Sequence, residues 1–292
     1  MFLSYLISSP TSTGGLIASA LVKPGLDLKP QYTAKDLVDL YLNNAQKIFP
    51  SSLLRKFLTG FGLWGSKYDR KAYDSILLQT FDTSLLSEVL CPIFIPIFSI
   101  DNDKPFIASS FFAGLSKEND FYLKDIAAAT SAAPTYFVPV TFKSISGFTT
   151  YTGADGGIYA NNPELIGITR VYIMHPGLEV QNMVLLSVGT GDALPSKTSL
   201  KIDSGNNGDI GWLKNKDIIG NMIDAESTLA ETAITSMLKH NNHFRFQFDL
   251  PENLLAMDDS DNDNLKALIT IDESFIANNN EQITTLCNMI SC

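Results

Sequence analysis

The chain has 292 residues, 45% of them hydrophobic, enough for a sizeable core in one large domain or two small ones. A formal charge of −10, with no run of lysines or arginines, argues against a nucleic-acid partner held by phosphate neutralisation and against electrostatic docking on anionic membranes. Cys91, Cys287 and Cys292 match neither a disulfide framework nor zinc-ligand spacing, which fits a reducing, cytoplasmic setting.

The apolar run Met1 to Ile7 reads as a strand and Leu16 to Val22 as a helix, with Thr11-Ser12-Thr13-Gly14-Gly15 between them. Ala18-Ser19-Ala20 gives this stretch the look of a secretory signal, but no basic residue precedes the apolar part and Ser8 through Gly15 interrupts it. A serine between strand and helix, with glycine two places on, is the layout of a nucleophile elbow. Ser12 is the candidate nucleophile. Gly14 and Gly15 remove Cβ atoms where the chain reverses, and the helix would aim its first N–H groups and positive end at the reacting atoms. Pro10 stands where the usual pattern has glycine, so the same residues also suit a plain glycine turn or an anion-binding loop.

Thr33 with Asp36 forms a capping-box pattern, and apolar residues from Leu37 to Phe49 recur at helical spacing until Pro50. Phe57 to Lys67 reads as an irregular loop, whose apolar part up to Trp64 either packs or touches lipid, and a helix follows from about Arg70 to Phe81. Cys91 to Ile100 reads as a buried strand, joined through the turn Asp101 to Lys104 to a second strand, Pro105 to Phe112. A small-residue helix is expected from Leu123 to Ala133, ended by Pro134. Met183 to Val188 is another buried strand, closed by Gly189-Thr190-Gly191; Ser199 to Asn215 reads as a surface loop. A helix from about Asp217 to Lys239, a strand over Phe244 to Phe248, and helices from about Asn264 and Asp272 complete the chain. Strands alternating with helices imply an α/β fold with a mainly parallel sheet flanked by helices. No stretch approaches the roughly 18 to 20 apolar residues that cross a bilayer.

A second stretch with chemical character is Gly153-Ala154-Asp155-Gly156-Gly157-Ile158-Tyr159-Ala160-Asn161-Asn162-Pro163. An aspartate in a glycine-rich turn can be brought against Ser12, but at an ordinary pKa of ~3.9 it is a poor base, and burial must raise it. The plainer reading is a tight turn followed by Asn-Pro capping the next helix.

Taken together, these segments resemble the patatin-like phospholipase family over nearly the whole chain. The likeness lies in Thr11 to Gly15, Lys47-Ile48-Phe49-Pro50, Tyr68-Asp69, Ala129 to Phe137, Asp155-Gly156-Gly157, Asn161-Asn162-Pro163 and Leu185 to Gly191. It implies a single domain over residues 1–292 and a lipid acyl hydrolase that works through an acyl-enzyme, with no cofactor and no metal. Ser12 matches the nucleophile and Asp155 the base; Thr13, Gly14, Gly15, Gly156 and Gly157 match oxyanion and turn support. The implied partner is a lipid substrate at a membrane or micelle surface, with no nucleic acid. Family members carry a first strand and an Asp-Gly-Gly-Gly-x-x-Gly oxyanion loop before the elbow strand, whereas this sequence begins at that strand. The expectation is therefore either of a degenerate or shortened member or of a true start upstream of Met1, with the Thr13 N–H as the elbow donor that remains in this sequence. An inactive domain kept as a binding or regulatory module is the alternative.

His175, His240 and His243 allow a serine-acid-histidine order, although His240 and His243 read more simply as a polar helix-end connection. Asp259, Asp261 and Asp263 resemble a calcium loop, but Asn264 and Thr270 stand where glycine and glutamate belong, so the segment reads as an acidic turn capping a helix.

Overall fold

The structure is a computed structural model that describes residues 6–50, 66–193 and 218–290. The apolar segment Phe57 to Trp64 and the expected loop Ser199 to Asn215 lie outside these residues, as does most of the Met1 to Ile7 run. The described residues form two compact units, one within Met1–Gly177 and the other within Leu178–Cys292.

The first unit is organised on strands β1 (Phe94–Ser99), β2 (Lys104–Ser109), β3 (Val140–Lys143) and β4 (Thr150–Asp155), in the spatial order β2-β1-β4-β3. Every pairing in this sheet is antiparallel. The mainly parallel sheet expected from the alternation of elements is thereby corrected to a mixed α/β architecture. Short connections impose the antiparallel sense on the hairpins β1–β2 and β3–β4, because a parallel pair needs a long crossover and a hairpin does not, whereas β1 and β4 pair from distant parts of the sequence. Asp103, at φ 49°, turns β1 into β2, and Gly147, at φ 76°, turns β3 into β4. Among the described residues of this unit, parallel pairing is confined to the bridge between Ser8 and Ile93 at the entrance to the elbow.

β1 is the central element. Ile93, Ile95 and Ile97 are fully buried, as the run of branched residues requires. Pro96 is tolerated because β4 pairs with β1 only from Ile97 onward, so this stretch of the strand edge carries no ladder bond that would need its N–H.

Helices α1 (Thr13–Leu21), α2 (Ala34–Ile48), α3 (Lys71–Phe81), α4 (Leu123–Thr130) and α5 (Glu164–Met174) complete this unit. α2 opens on the expected capping box: the Asp36 N–H donates to Thr33 Oγ1 at 3.3 Å and the Thr33 N–H donates to Asp36 Oδ2 at 2.8 Å. α4 packs against α1, α3 and the sheet, and its alanines permit that close approach. It stops at Thr130, short of the expected Ala133, where the carbonyls of Thr130 and Ala132 accept the N–H groups of Gly156 and Asp155 instead of helical partners. The strand expected to reach Phe112 likewise ends at Ser109. There the Ser109 side chain caps Phe112 and the Ser110 hydroxyl accepts the Ile93 N–H, folding Ser110–Ala113 into one helical turn.

In the second unit, β5 (Leu185–Val188) and β6 (Asp192–Ala193) pair in parallel with β7 (His243–Phe246) and β8 (Asp249–Leu250), respectively. α6 (Ile218–Met237) lies between β6 and β7 in sequence, and α7 (Asn262–Asn278) and α8 (Asn280–Ile290) follow. α7 runs through Asp272, the expected start of a new helix, because no breaker interrupts it before Asn278-Asn279-Asn280. No described helix is long and apolar enough to cross a membrane.

Candidate active site

Ser12 sits where the chain leaves the Ser8 bridge and enters α1, at φ 53° and ψ −127°. That backbone region favours glycine, and a serine held in it marks a constrained turn. The hydroxyl of Ser12 donates to Asp155 Oδ2 at 2.5 Å across 143 positions of sequence. The other carboxylate oxygen, Oδ1, accepts the Gly157 N–H at 2.7 Å. Asp155 is the last residue of β4 and is only 5% exposed, so the segment read as a turn is a strand end leading into a helical turn, Gly157–Ala160.

Burial raises the Asp155 carboxyl to about 6, against the pull of the Ser12 and Gly157 hydrogen bonds, which favour the charged form. The raised basicity that a proton-accepting aspartate needs is thus present. Two backbone bonds place this residue, Asp155 N–H to Ala132 O at 3.0 Å and Gly156 N–H to Thr130 O at 3.3 Å. Tyr73 lies close to this turn; its hydroxyl bonds Ser131 Oγ at 2.8 Å, and burial pushes its pKa up to about 12, so it stays protonated as a donor.

The motif glycines divide into those that space demands and one that it does not. A Cβ on Gly15 would lie 2.5 Å from Thr130 Cγ2, and one on Gly156 would lie 2.3 Å from the Pro96 carbonyl oxygen. On Gly157 it would press on Asp155 Oδ1 at 3.1 Å. Gly14 differs: its nearest neighbour is Pro10 Cβ at 3.7 Å, an ordinary contact, so the collision expected there is absent. Thr13 begins α1 and is exposed, with its N–H in the first helical turn, where intrahelical acceptors are lacking.

Two threonines that sequence reasoning gave no role, together with the Pro96 carbonyl, also build the site. Thr11 Oγ1 donates to Ala160 O at 2.7 Å, tying the elbow to the turn after Asp155. Thr130 Oγ1 accepts the Ser12 N–H at 3.1 Å and donates to Pro96 O at 2.6 Å. The signal in the sequence was a hydroxyl residue and a strand proline with no evident structural reason to be there.

His175 ends α5, His240 and His243 belong to the second unit, and both oxygens of Asp155 have the partners named above. In the acidic segment, Asp261 caps α7 by accepting the Asp263 N–H at 2.9 Å, and Asp259 accepts the Asp261 N–H at 3.1 Å. Asn162 Oδ1 accepts the Glu164 N–H at 3.2 Å, at the start of α5.

The family model of the patatin-like phospholipases matches residues 9–168, which contain both Ser12 and Asp155. Patatin-like protein 4 of Arabidopsis thaliana is 31% identical over 295 aligned positions, covering 92% of this chain and 72% of that protein. Patatin-like protein 2 of Oryza sativa subsp. indica is 29% identical over 92% of this chain and 73% of its own length. Patatin-11 of Solanum tuberosum is 29% identical over 91% of this chain and 71% of its own. The alignments therefore extend through both compact units, and the chain belongs to the patatin-like phospholipase family.

Proposed function

We propose that this chain is a lipid acyl hydrolase of the phospholipase A or lysophospholipase type that works with Ser12 and Asp155 as its catalytic pair. The observation that carries the reading is the 2.5 Å hydrogen bond from the Ser12 hydroxyl to a buried carboxylate of raised pKa. Family membership supplies the reaction class, hydrolysis of lipid esters.

The chemistry follows from the positions. Ser12 Oγ attacks the ester carbonyl carbon while Asp155 Oδ2 takes the hydroxyl proton. Negative charge then grows on the carbonyl oxygen, beside the start of α1, where the Thr13 N–H and the positive helix end stabilise it. Collapse of this adduct breaks the ester bond, and Asp155 returns the proton to the departing alcohol oxygen. Water next attacks the acyl-serine, giving its proton to Asp155, and the fatty acid leaves as Ser12 recovers its hydrogen. An aspartate near 6 suits both halves, being ionised at neutral pH yet basic enough to hold the proton in transit.

The test is release of fatty acid from mixed phospholipid and lysophospholipid vesicles by the 292-residue chain, beside Ser12→Ala and Asp155→Ala. An active parent silenced by either substitution, at least about 10³-fold, is expected for a nucleophile and its base. A well-folded parent as silent as its variants overturns the proposal and favours a lipid-binding or regulatory module.

A further inference from the structure

We propose that Thr130 is the positioning residue of the elbow, its hydroxyl holding Ser12 in the reactive conformation and its methyl group setting how closely α1 seats. The proposal rests on Ser12 being the nucleophile and goes beyond it by assigning what keeps that serine in place.

Thr130 is fully buried, at 0% exposure, at the last turn of α4. A hydroxyl there ordinarily folds back onto the carbonyl one turn earlier, as that of Ser131 does with Ala127. Thr130 reaches outward instead. The roles in its bonds are fixed by chemistry, since Pro96 O can only accept and the Ser12 N–H can only donate. Its proton therefore goes to β1 and its lone pair to the elbow. The bond reaches the backbone of Ser12, which caps α1 at positive φ. Such a conformation persists only when its surroundings over-determine it.

The main chain of the same residue accepts the Gly156 N–H, and Ala132 O accepts that of Asp155. One helix end thus sets the backbone of both partners, through a side chain for Ser12 and through carbonyls for Asp155. With the Ser12 N–H engaged by Thr130, the elbow's donor to an oxyanion is the N–H of Thr13. The methyl group acts separately, through space. Its Cγ2 stands 2.5 Å from where a Gly15 Cβ would be, while the other nearby atoms, Ile95 Cγ2 and Thr130 Oγ1, lie at 3.5 and 3.6 Å. Removing that methyl alone makes room for alanine at position 15.

The experiment compares the parent with Thr130→Val, Thr130→Ser, Gly15→Ala and the double variant Gly15→Ala/Thr130→Ser. The readouts are kcat and KM on a soluble p-nitrophenyl ester, the rate of labelling by a fluorophosphonate, and hydrogen exchange at the Ser12 amide. Thr130→Val should lower kcat and labelling by about 10²-fold with KM within about threefold, as misplacement of a reacting group does. Its Ser12 amide should exchange at least about tenfold faster, as expected when an amide loses its hydrogen bond. Thr130→Ser should keep kcat within about fivefold and keep the amide protected, because the hydroxyl persists. Gly15→Ala should be damaged and the double variant should recover, the reverse of additivity.

A folded Thr130→Val with parental kcat and amide exchange overturns the proposal, as does a Thr130→Ser variant as impaired as the valine. If Thr130→Val does not fold, the Thr130→Ser and double variants decide: recovery over Gly15→Ala supports the proposal and no recovery overturns it. A parent that neither turns over ester nor labels at Ser12 refutes the hydrolase reading, while the amide exchange of Thr130→Val and Thr130→Ser still judges the role of Thr130.

Discussion

Two glycine turns stand out in the sequence, Gly156-Gly157 and Gly189 to Gly191, and the structure uses them differently. At Gly156 the absent Cβ leaves room for the Pro96 carbonyl oxygen, 2.3 Å away and part of the buried central strand. At Gly189 the space is taken by the end of a side chain, Gln247 Oε1, at 1.9 Å, which also accepts the Gly191 N–H at 3.0 Å. The first neighbour cannot move without shifting β1; the second can rotate. The first turn holds a carboxylate against a hydroxyl, whereas the second carries the β5 chain on to β6, with Gly189 and Asp192 donating to Phe246 and Phe248. Of these two turns, the one beside the buried carboxylate is held against backbone and the other against a movable side chain.

Gly156→Ala should have the largest effect. Forcing a methyl group onto a buried carbonyl should cost at least about 3 kcal/mol, the upper range for overpacking, and remove fatty-acid release. Urea unfolding at pH 7 measures the cost, and a folded, active variant would mean that β1 yields as easily as a side chain.

Asp155→Asn sharpens what the rigid turn is for. The folded carboxyl titrates at about 6 and the ordinary value is 3.8, so between these values the folded chain holds a proton that the unfolded chain has released. Stability therefore falls as pH rises through that window, by about 3 kcal/mol for two pKa units. Asp155→Asn, neutral throughout, should be inactive yet more stable than the parent by about 1 to 3 kcal/mol at pH 8, with no gain below pH 4. Parallel melts at both pH values test this, and a gain that does not depend on pH contradicts the buried charge. The parent's kcat/KM should rise with pH through about 6, as the base loses its proton.

Smaller effects belong to the compliant positions. Gly189→Ala should cost about 1 kcal/mol, and only a few tenths on a Gln247→Ala background, as for contacting residues that share one space. A cost that persists on that background would place the strain on the Arg245 guanidinium, whose Nη2 lies 3.0 Å from the added Cβ. Gly14→Ala, in the first turn of α1 with only an ordinary contact to Pro10, should stabilise the chain by about 0.5 kcal/mol by limiting the unfolded state. A thermal melt shows the sign, and destabilisation would mean that the turn needs every glycine it has.

What can be read along the chain is what lies close in the chain. The Thr33 and Asp36 capping box and the buried run of β1 depend on neighbours a few residues apart, and their periodicity announces them. The elbow is legible because serine followed by two glycines at a helix start has local physical consequences. Ends of elements are less so. Ser109 and Ser110 end an expected strand early through side-chain bonds that compete with the ladder, and the carbonyls of Thr130 and Ala132 leave the expected helix for the N–H groups of Gly156 and Asp155. Strands β3 and β4 escape a reading along the chain because Val140 to Lys143 and Thr150 to Asp155 are short and half exposed, with no apolar run to mark them.

By itself the sequence determined the residue types of the site, the turn that lifts Ser12, most of the helices, and the family to which the chain belongs. Only the tertiary structure decided that the main sheet is antiparallel, that Asp155 ends a strand with its carboxyl raised to about 6, and that Thr130 reaches across to the Ser12 amide. The physical reason is range. Capping, turn chemistry and periodicity act between near neighbours, whereas strand direction, desolvation and a hydrogen bond across 118 positions arise only when distant segments exclude water together.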